Sequence, residues 1–329
     1  MAYQTGIAQN ERDLLEKLNT FLTTDPTLVR DGQAWTVLHR NTIPATNQTV
    51  ERVQYMWKST GTGTDLDIYI GCETVNNIAE DAYNLDFWGG TFFNADLVAG
   101  DNIRAGVINC SPVVTLHADA RPVEYHFVAN GRCFKVITRI STVCSSAYLG
   151  FILPTVPPTE YPYPVCVAGS SPYKVNNALP RHSIKDEAFS CFAAPRYQNC
   201  YLFTPDQAWR DFYAYCRYKS STYSADGYYQ MIYPYCNEQL NNSEGNFIFD
   251  VMRGINLIPL EPVEFISVEE SSQGVNRWGA YDGVYFIPGM QRAVGDVVNI
   301  NNTNTGIVFN NGFRTGMKDY FVLDIGEAG

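Results

Sequence analysis

The histidines are the first residues to consider for chemistry, and they suggest no catalytic site. His39, His117 and His126 lie in strand-like runs, and the fourth is His182. A strand histidine is more often a half-buried, hydrogen-bonded residue than a base. Asp119 follows His117 by two residues, so both would point to one face of a strand, where the carboxylate could orient the imidazole. The pair could equally arise by chance, because no G-x-S-x-G motif frames a nucleophile.

The acidic residues do not single out a metal or hydrolase site either. Asp65, Asp67, Asp81 and Asp86 are candidate oxygen ligands for a hard cation, but no loop of the EF-hand type follows them. The segment GTGTDLD has glycines without the lysine of a phosphate-binding loop. A glycoside hydrolase needs two carboxylates that face a cleft, and no pair stands out among 34 acidic residues. We therefore predict no enzymatic activity, no catalytic residue, no metal and no cofactor.

The nine cysteines form neither a C-x-x-C motif nor a cysteine–histidine zinc pattern. Because nine is odd, they cannot all pair within one chain. We interpret them as buried, reduced thiols that pack as small apolar side chains. The alternative is a set of disulfides, of unknown pairing, formed within or between subunits after release into an oxidising medium. The candidates are Cys72, Cys110, Cys133, Cys144, Cys166, Cys191, Cys200, Cys216 and Cys236.

The composition favours a protein that contacts other proteins. Charged residues make up 17% of the 329 residues, against about 25% in typical soluble domains. Aromatic residues make up 14%, and 22 of them are tyrosines, which are enriched at interface cores. A tyrosine-rich β protein with an ordinary surface would have the same composition. The net charge of −11 disfavours direct nucleic-acid binding. No secretory signal or apolar stretch long enough for a membrane span is evident, so we expect synthesis and folding in the cytosol.

The pattern of the chain predicts a β-rich α+β fold, with antiparallel sheets in a sandwich-like core, an N-terminal amphipathic helix and a few attached helices. Residues 1–30 form the N-terminal helical segment. Its helix spans residues 10–22, with Asn10 as N-cap and an apolar face formed by Leu14, Leu15, Leu18, Phe21 and Leu22. Residues 31–170 contain short runs rich in Val, Ile, Tyr, Phe and Trp. Between two of these runs, Asn130-Gly131 predicts a type I′ hairpin.

Three further segments complete the organisation. Residues 153–166 hold five prolines, which disfavour both a helix and a central strand. We interpret this segment as an extended docking arm, although a plain linker is the alternative. Its interface candidates are Tyr161, Pro162, Tyr163 and Pro164. Residues 171–245 are irregular and rich in Tyr and Asn, with one helix beginning at the capping box Thr204-Pro205-Asp206-Gln207. Residues 246–329 are again β-rich.

Four blocks of the sequence resemble virion structural proteins of tailed bacteriophages. They are DLLEKLNTFL with AWTVL, DIYIGCET with YNLDFWGG, EYHFVANGRCFKVITRISTVCSSAYLGFILPTVPPTEYPYPV, and YDGVYFIPG with GIVFNNGFRTGMKDYFVLDI. The resemblance covers most of the chain and implies a component of the tail, the neck or collar, or the baseplate. It brings no catalytic residues. Members of this group usually have few cysteines, so nine cysteines are a departure that favours disulfide reinforcement in this particle.

The expected function is therefore that of a virion structural subunit, made in the host bacterial cytoplasm and localised in the virion. It would act by self-assembly into a homo-oligomeric ring or sleeve and by contacts with other virion proteins of the tail or neck. The alternative is a receptor- or carbohydrate-binding module of the phage tail. A cell-wall or polysaccharide hydrolase is a further alternative, which would need the carboxylate pair that the sequence does not single out.

Overall fold

The computed structural model describes residues 1–62, 66–172, 190–193, 199–212, 228–235, 260–269, 275–289, 291–312, 314–316 and 319–327. The helices are α1 (Glu11–Thr24), α2 (Pro26–Arg30) and the short 3-10 helices Ile78–Glu80, Ala95–Leu97 and Ile103–Gly106. The strands up to residue 172 are β1 (Ala2–Ala8), β2 (Thr36–Ile43), β3 (Arg52–Ser59), β4 (Ile68–Asn77), β5 (Ala82–Gly90), β6 (Phe92–Phe93), β7 (Val107–Ile108), β8 (Val114–His117), β9 (Val123–Ala129), β10 (Cys133–Ile140), β11 (Val143–Phe151), β12 (Leu153–Pro154), β13 (Val165–Ala168) and β14 (Ser171–Pro172). The later strands are β15 (Cys200–Phe203), β16 (Trp209–Asp211), β17 (Tyr228–Tyr233), β18 (Glu261–Glu269), β19 (Val275–Phe286), β20 (Val297–Asn299), β21 (Asn304–Asn310) and β22 (Tyr320–Glu327). The fold is thus β-rich α+β, as predicted.

Three antiparallel sheets form the body of the described chain. The first sheet has the strand order β1-β9-β10-β11-β13-β15-β16, and the second has the order β14-β8-β5-β4-β3-β2. The third has the order β17-β18-β19-β22-β21-β20, with β12 added beside β19. A small ribbon of β6 and β7 accompanies the second sheet. Apart from β12, the third sheet is built from strands of the C-terminal part of the chain.

The first sheet is the central layer, because both of its faces are covered. On β10, Phe134 and Val136 pack in a core shared with α1 and the second sheet. The neighbouring residues Cys133 and Ile137 pack in a separate core shared with the third sheet. Alternate side chains of one strand thus enter different cores, since successive residues point to opposite faces. The central strands are therefore apolar on both faces, unlike strands with one face in water.

The N-terminal helix forms as the sequence predicts. Asn10 caps α1 by accepting hydrogen bonds from the backbone N–H groups of Arg12 and Asp13, at 3.1 and 2.9 Å. The five predicted apolar residues of its inner face are all buried in the core below the second sheet. Residues 1–30 are not purely helical, however. Strand β1 precedes α1 and pairs with β9 at the edge of the central sheet.

The hairpin of β9 and β10 is confirmed, but the prediction of a type I′ turn at Asn130-Gly131 is wrong. The Asn130 N–H donates to the Cys133 carbonyl at 3.0 Å, so the loop residues are Gly131 and Arg132. Neither of them has a positive φ. The Asn130 side chain instead accepts from the N–H groups of Arg132 and Cys133, which replaces part of the turn's own bonding. Glycine is still required at 131, since a Cβ there would lie 2.3 Å from the Gly61 carbonyl oxygen.

The helix predicted to begin at Thr204 is also wrong over the described residues. This segment is the tip of a hairpin, in which Phe203 of β15 pairs with Trp209 of β16. The Thr204 N–H donates to the Ala208 carbonyl at 2.9 Å, and the Thr204 hydroxyl bonds there as well. The Thr-Pro-Asp-Gln pattern suits a tight turn as well as a helix cap, because the same side chains satisfy backbone groups in both. Trp209 lies in β16 and the Phe212 N–H donates to the Cys200 carbonyl, so neither is helical, and the predicted helix beyond Phe212 lies outside the described residues.

A membrane-spanning helix is absent from the part of the chain that the structure describes, because none of its helices has the required length and apolar content.

Candidate interaction surface

The proline-rich segment 153–166 is anchored to its own chain at both ends. Its first residues form β12, which pairs with β19 of the third sheet. Its last residues enter β13 of the central sheet. Just before the segment, the Ile152 N–H donates to the Pro164 carbonyl at 2.9 Å and brings the two ends together. The segment therefore links the central and third sheets within one subunit.

Of the four interface candidates, Tyr161 contradicts the expectation of exposure. Its side chain is only 1% exposed, and its hydroxyl donates to the carbonyl of Phe203. Its ring packs edge-on against Trp278, with centroids 6.2 Å apart. Residues 155–164 lie outside the sheets, but the segment folds back, and burying the aromatic ring within the subunit is favourable. Tyr161 is thus a core residue.

The other three candidates differ in exposure. Pro162 is exposed, Tyr163 is half-buried, and Pro164 is buried. The Tyr163 ring packs edge-on against Phe151, with centroids 6.5 Å apart. An intersubunit contact through Pro162 and Tyr163 stays a prediction.

Tyr161, Pro162 and Tyr163 line a cavity of about 230 Å³, which we call the Tyr163 pocket. Its other walls come from the ends of the β6–β7 ribbon, Thr91 and Asn109, and from the β15–β16 hairpin, Phe203, Thr204, Pro205 and Gln207. None of these nine residues is charged. The pocket therefore joins three separate segments that sequence spacing alone could not bring together.

Hydrogen bonds fix the ribbon side of the Tyr163 pocket. The Thr91 N–H donates to the Ile108 carbonyl at 3.0 Å, and the Asn109 amide donates to the Thr91 hydroxyl at 3.0 Å. The Trp209 indole N–H donates to the Asn109 carbonyl at 2.8 Å, which ties the ribbon to the hairpin. The pocket walls are thus held by direct contacts between the segments.

The β6–β7 ribbon carries an exposed apolar pair next to this pocket. Phe92 and Ile108 are cross-strand partners, and their side chains are 51% and 41% exposed. The Phe92 ring also packs edge-on against Tyr69, with centroids 5.7 Å apart. The opposite side of the ribbon is buried, since Phe93 and Val107 pack into the core on the outer face of the second sheet. Nothing in the sequence distinguished the outward pair from the inward one.

A row of polar side chains crosses the outer face of the second sheet, with one residue from each of five adjacent strands. The row consists of Asn41, Gln54, Glu73, Asp86 and Thr115, in directly opposed register. The Gln54 amide donates to Glu73 at 2.7 Å, and the Thr115 hydroxyl donates to Asp86 at 2.6 Å. Asp86 is 1% exposed. Glu73 and Asp86 thus form a carboxylate pair, but the burial of Asp86 does not suit a hydrolase, whose carboxylates must face a cleft.

Burial shifts the pKa of Asp86. Loss of water around the carboxyl is the main cause that raises the pKa of Asp86 to about 8, and the neighbouring Glu73 carboxylate adds to the effect. The hydrogen bond from Thr115 and the charge of Arg104 oppose it. Asp86 is therefore a neutral acid in the folded chain at pH 7.

The remaining candidate oxygen ligands are dispersed. Asp67 forms an ion pair with Lys58 at 2.7 Å, and Asp81 ends a 3-10 helix just before β5. Asp86 lies near the middle of β5, and Asp65 lies outside the described residues. Among the described residues, no group of three or more His, Cys, Asp or Glu side chains is arranged to hold a metal ion.

The described histidines lie on three different strands, β2, β8 and β9. The Asp119 carboxylate, which could have oriented His117, accepts hydrogen bonds from the Arg121 guanidinium at 3.1 and 3.0 Å. Arg121 is therefore its hydrogen-bond partner. His126 contacts the Tyr3 hydroxyl at 2.9 Å and Glu124 at 3.3 Å. Burial is the main cause that lowers the pKa of His126. His39 packs near Phe93, and His182 lies outside the described residues.

Seven cysteines fall in the described residues, and all seven are free thiols. Cys110 is half-buried and the other six are buried. Burial is the main cause that raises the pKa of Cys133 and Cys144 to about 11, which disfavours the reactive thiolate. Cys216 and Cys236 lie outside the described residues, and pairing between subunits stays a prediction.

Comparison of the sequence with protein-family models and with curated proteins found no match. Functional arguments for this chain therefore depend on its own residues and geometry. The two features that a binding partner could contact are the Tyr163 pocket and the exposed Phe92–Ile108 pair. A sequence signal for the pair did exist, since TFFNA places two aromatic residues in a short run, but their orientation needed the ribbon.

Proposed function

We propose that this chain is a structural subunit that acts by self-assembly through the exposed Phe92–Ile108 pair. Two large apolar side chains that stand side by side in water form a small apolar patch that a partner could cover. Burying them against another subunit would remove apolar surface from water and stabilise the complex. This pair is the observation that carries the proposal.

The shape of the ribbon suits such a role. One side of β6–β7 is held by the buried Phe93 and Val107, so the outward pair is presented on a fixed platform. A contact made by already ordered side chains loses less conformational entropy on binding than one made by a flexible loop. In this proposal the assembly is a ring or a sleeve made of copies of this chain.

The resemblance of the sequence to tailed-phage proteins is the basis for proposing where the subunit lies. We place this subunit in the tail, the neck or collar, or the baseplate of a virion, in contact with other virion proteins. Electron microscopy of phage particles labelled with a gold-conjugated antibody against the purified chain tests this placement. We expect label on the tail or neck. Label on the capsid alone, or on no particle, would contradict it.

The test of self-assembly is sedimentation velocity on a double variant, Phe92→Ser with Ile108→Ser. We expect the parent chain to sediment as an oligomer and the variant to shift toward monomer at the same concentration. The matched control is Val275→Ser with Val297→Ser, because these residues are 57% and 66% exposed on the third sheet. The control should assemble like the parent. A monomeric parent chain, or equal loss of assembly in both variants, would refute the role of the ribbon.

A further inference from the structure

The Phe92–Ile108 pair belongs to a segment that lies against the outer face of the second sheet. We call this segment, residues 91–112, the outer cover. Among the described strands, β6 and β7 of the cover pair only with each other. Within the cover, the Asn94 N–H donates to the Gly106 carbonyl at 2.8 Å. The middle of the cover can therefore move away from the second sheet without breaking the hydrogen-bond ladder of that sheet.

Apolar contacts hold the outer cover closed. Phe93, Ile103 and Val107 of the cover pack in one core with Met56 and Trp88 of the second sheet. Burying these side chains removes apolar surface from water and stabilises the closed position. The same contacts keep water away from the polar row that crosses this face of the sheet.

Hydrogen bonds join the outer cover to that polar row. The Gln54 side-chain amide donates to the Asp101 carbonyl of the cover at 3.0 Å and to the Glu73 carboxylate at 2.7 Å. The Asn41 amide donates to the Asp101 carboxylate at 3.4 Å. Gln54 thus links the cover directly to the carboxylate pair formed by Glu73 and Asp86.

The surroundings of Asp86 oppose a negative charge beneath the closed cover. Asp86 lies directly opposite Glu73 on neighbouring strands and is 1% exposed. The Thr115 hydroxyl donates to Asp86 at 2.6 Å, which favours the ionised carboxyl. The guanidinium carbon of Arg104 lies over the Trp88 ring, 5.9 Å from its centroid, and the charge of Arg104 favours ionisation less than Glu73 disfavours it. Ionised Asp86 is therefore a destabilising group while the cover is closed.

Two thiols also lie near these charges. Cys72 packs in the core on the inner face of β4, and Cys110 of the cover interacts with Arg104. Burial is the main cause that raises the pKa of both thiols above the ordinary range. Both therefore stay protonated while Asp86 titrates, so Asp86 is the group whose charge changes here near neutral pH.

We propose that the outer cover is a pH-sensitive device that is closed over protonated Asp86 and shifts toward an open position when Asp86 ionises. Opening lets water reach the carboxylate and releases the platform that presents Phe92 and Ile108. With the cover open, the pKa of Asp86 returns to the usual value of about 4, against about 8 when it is closed. The equilibrium constant for opening therefore rises about tenfold for each pH unit between these values. The effect on assembly rests on the proposed role of the Phe92–Ile108 pair, whereas the opening does not.

Hydrogen–deuterium exchange of the full chain at pH 6 and pH 8, read peptide by peptide by mass spectrometry, tests the opening. Dividing the intrinsic exchange rate at each pH by the measured rate gives the protection of a peptide. We expect peptides from residues 93–107 to be less protected than the β9–β10 hairpin at both pH values, because the cover opens without the whole fold. Their protection should fall by about fiftyfold from pH 6 to pH 8. Equal protection of cover and hairpin, or no fall in the cover, would refute the proposal.

An Asp86→Asn variant removes the titrating group and keeps an acceptor for Thr115. Its cover should have the same protection at both pH values. Asp96→Asn is the matched control, because it makes the same substitution at an exposed aspartate within the cover itself. The control should retain the pH-dependent fall of the parent. A fall of the same size in Asp86→Asn, or its loss in Asp96→Asn, would overturn the assignment of the device to Asp86.

Sedimentation velocity of the parent and Asp86→Asn at the same two pH values tests the consequence for assembly. We expect a larger oligomeric fraction for the variant than for the parent at pH 8, and a smaller difference at pH 6. Equal assembly of the two chains at pH 8, with exchange showing an open cover, would refute the link to assembly. A parent chain that is monomeric at both pH values would refute the assembly role of Phe92 and Ile108, while the exchange result alone decides whether the cover opens.

Discussion

Replacing Asp86 by asparagine should make the chain more stable at neutral and alkaline pH. Asp86 has a pKa of about 8 when folded, against about 4 for an ordinary aspartic acid. Between these values the unfolded chain has released the proton while the folded chain keeps it. Stability therefore falls as pH rises through this interval, because the unfolded state binds fewer protons. Above pH 8 both states are ionised, and this group adds no further slope.

The size of the effect follows from the shift in pKa. The slope is about 1.4 kcal/mol of unfolding free energy for each pH unit between about 4 and 8, which gives a ceiling of about 6 kcal/mol. Asparagine is neutral throughout, and its Oδ1 can still accept the hydrogen bond from Thr115. We expect the variant and the parent to be similar near pH 4, and the variant to gain stability steadily up to pH 8.

Chemical denaturation at pH 4, 5, 6, 7 and 8 measures this difference. Asp96→Asn is the matched control, since it makes the same substitution at an exposed aspartate. Parallel stability curves for Asp86→Asn and the parent would refute the reasoning. A variant less stable than the parent at pH 8 would refute it too, because it would show that the folded chain favours the ionised carboxylate.

Four further outcomes are expected. Gly131→Ala should lower the free energy of unfolding by about 3 kcal/mol, because its Cβ would stand 2.3 Å from a backbone oxygen. The control Gly32→Ala, whose Cβ would meet open space, should lower it by only about 1 kcal/mol. Equal losses of unfolding free energy in chemical denaturation would contradict this. Tyr161→Phe should lower the free energy of unfolding by about 2 kcal/mol, because the buried Phe203 carbonyl loses its hydrogen-bond donor, and its sedimentation should equal that of the parent. A variant that is monomeric but as stable as the parent would restore the docking-arm hypothesis. Among the seven described cysteines, Cys110 should react first with iodoacetamide, as mass spectrometry of the labelled native chain can check. Asn10→Ala should lower the unfolding free energy by about 1 kcal/mol through loss of the α1 cap. An unchanged unfolding free energy would mean that the packing of its apolar face alone stabilises α1.

The sequence by itself determined the local elements whose signals lie within a few residues. The apolar spacing after Asn10 defined α1 and its inner face, because a helix of 3.6 residues per turn brings those positions together. The short β-branched and aromatic runs marked β9, β10 and β11, and the turn signal between the first two predicted their antiparallel pairing. The β-rich α+β class followed from these elements.

The local signal was insufficient where one pattern suits two structures. Asn130-Gly131 is typical of a two-residue turn, yet the loop moved by one residue because the hairpin tip packs against Gly61 and Asn130 bonds to the following backbone. Thr204 to Gln207 has the residues of a helix cap and of a tight turn alike. The tight turn is the one that forms, because β15 pairs with β16 and also with β13 of the central sheet. The β13 partner is a long-range contact, about which the spacing of Thr204 to Gln207 carries no information.

The tertiary structure alone decided which residues are exposed or buried and which share a site. Tyr161 and Tyr163 look equivalent in the sequence, but the central and third sheets bury the first and leave the second half-exposed. Asp86 becomes a neutral acid only because the layer over the second sheet removes its water. The Tyr163 pocket joins residues that lie more than a hundred positions apart. Burial and proximity of this kind come from the packing of whole sheets, and they are therefore properties of the folded chain and not of any segment.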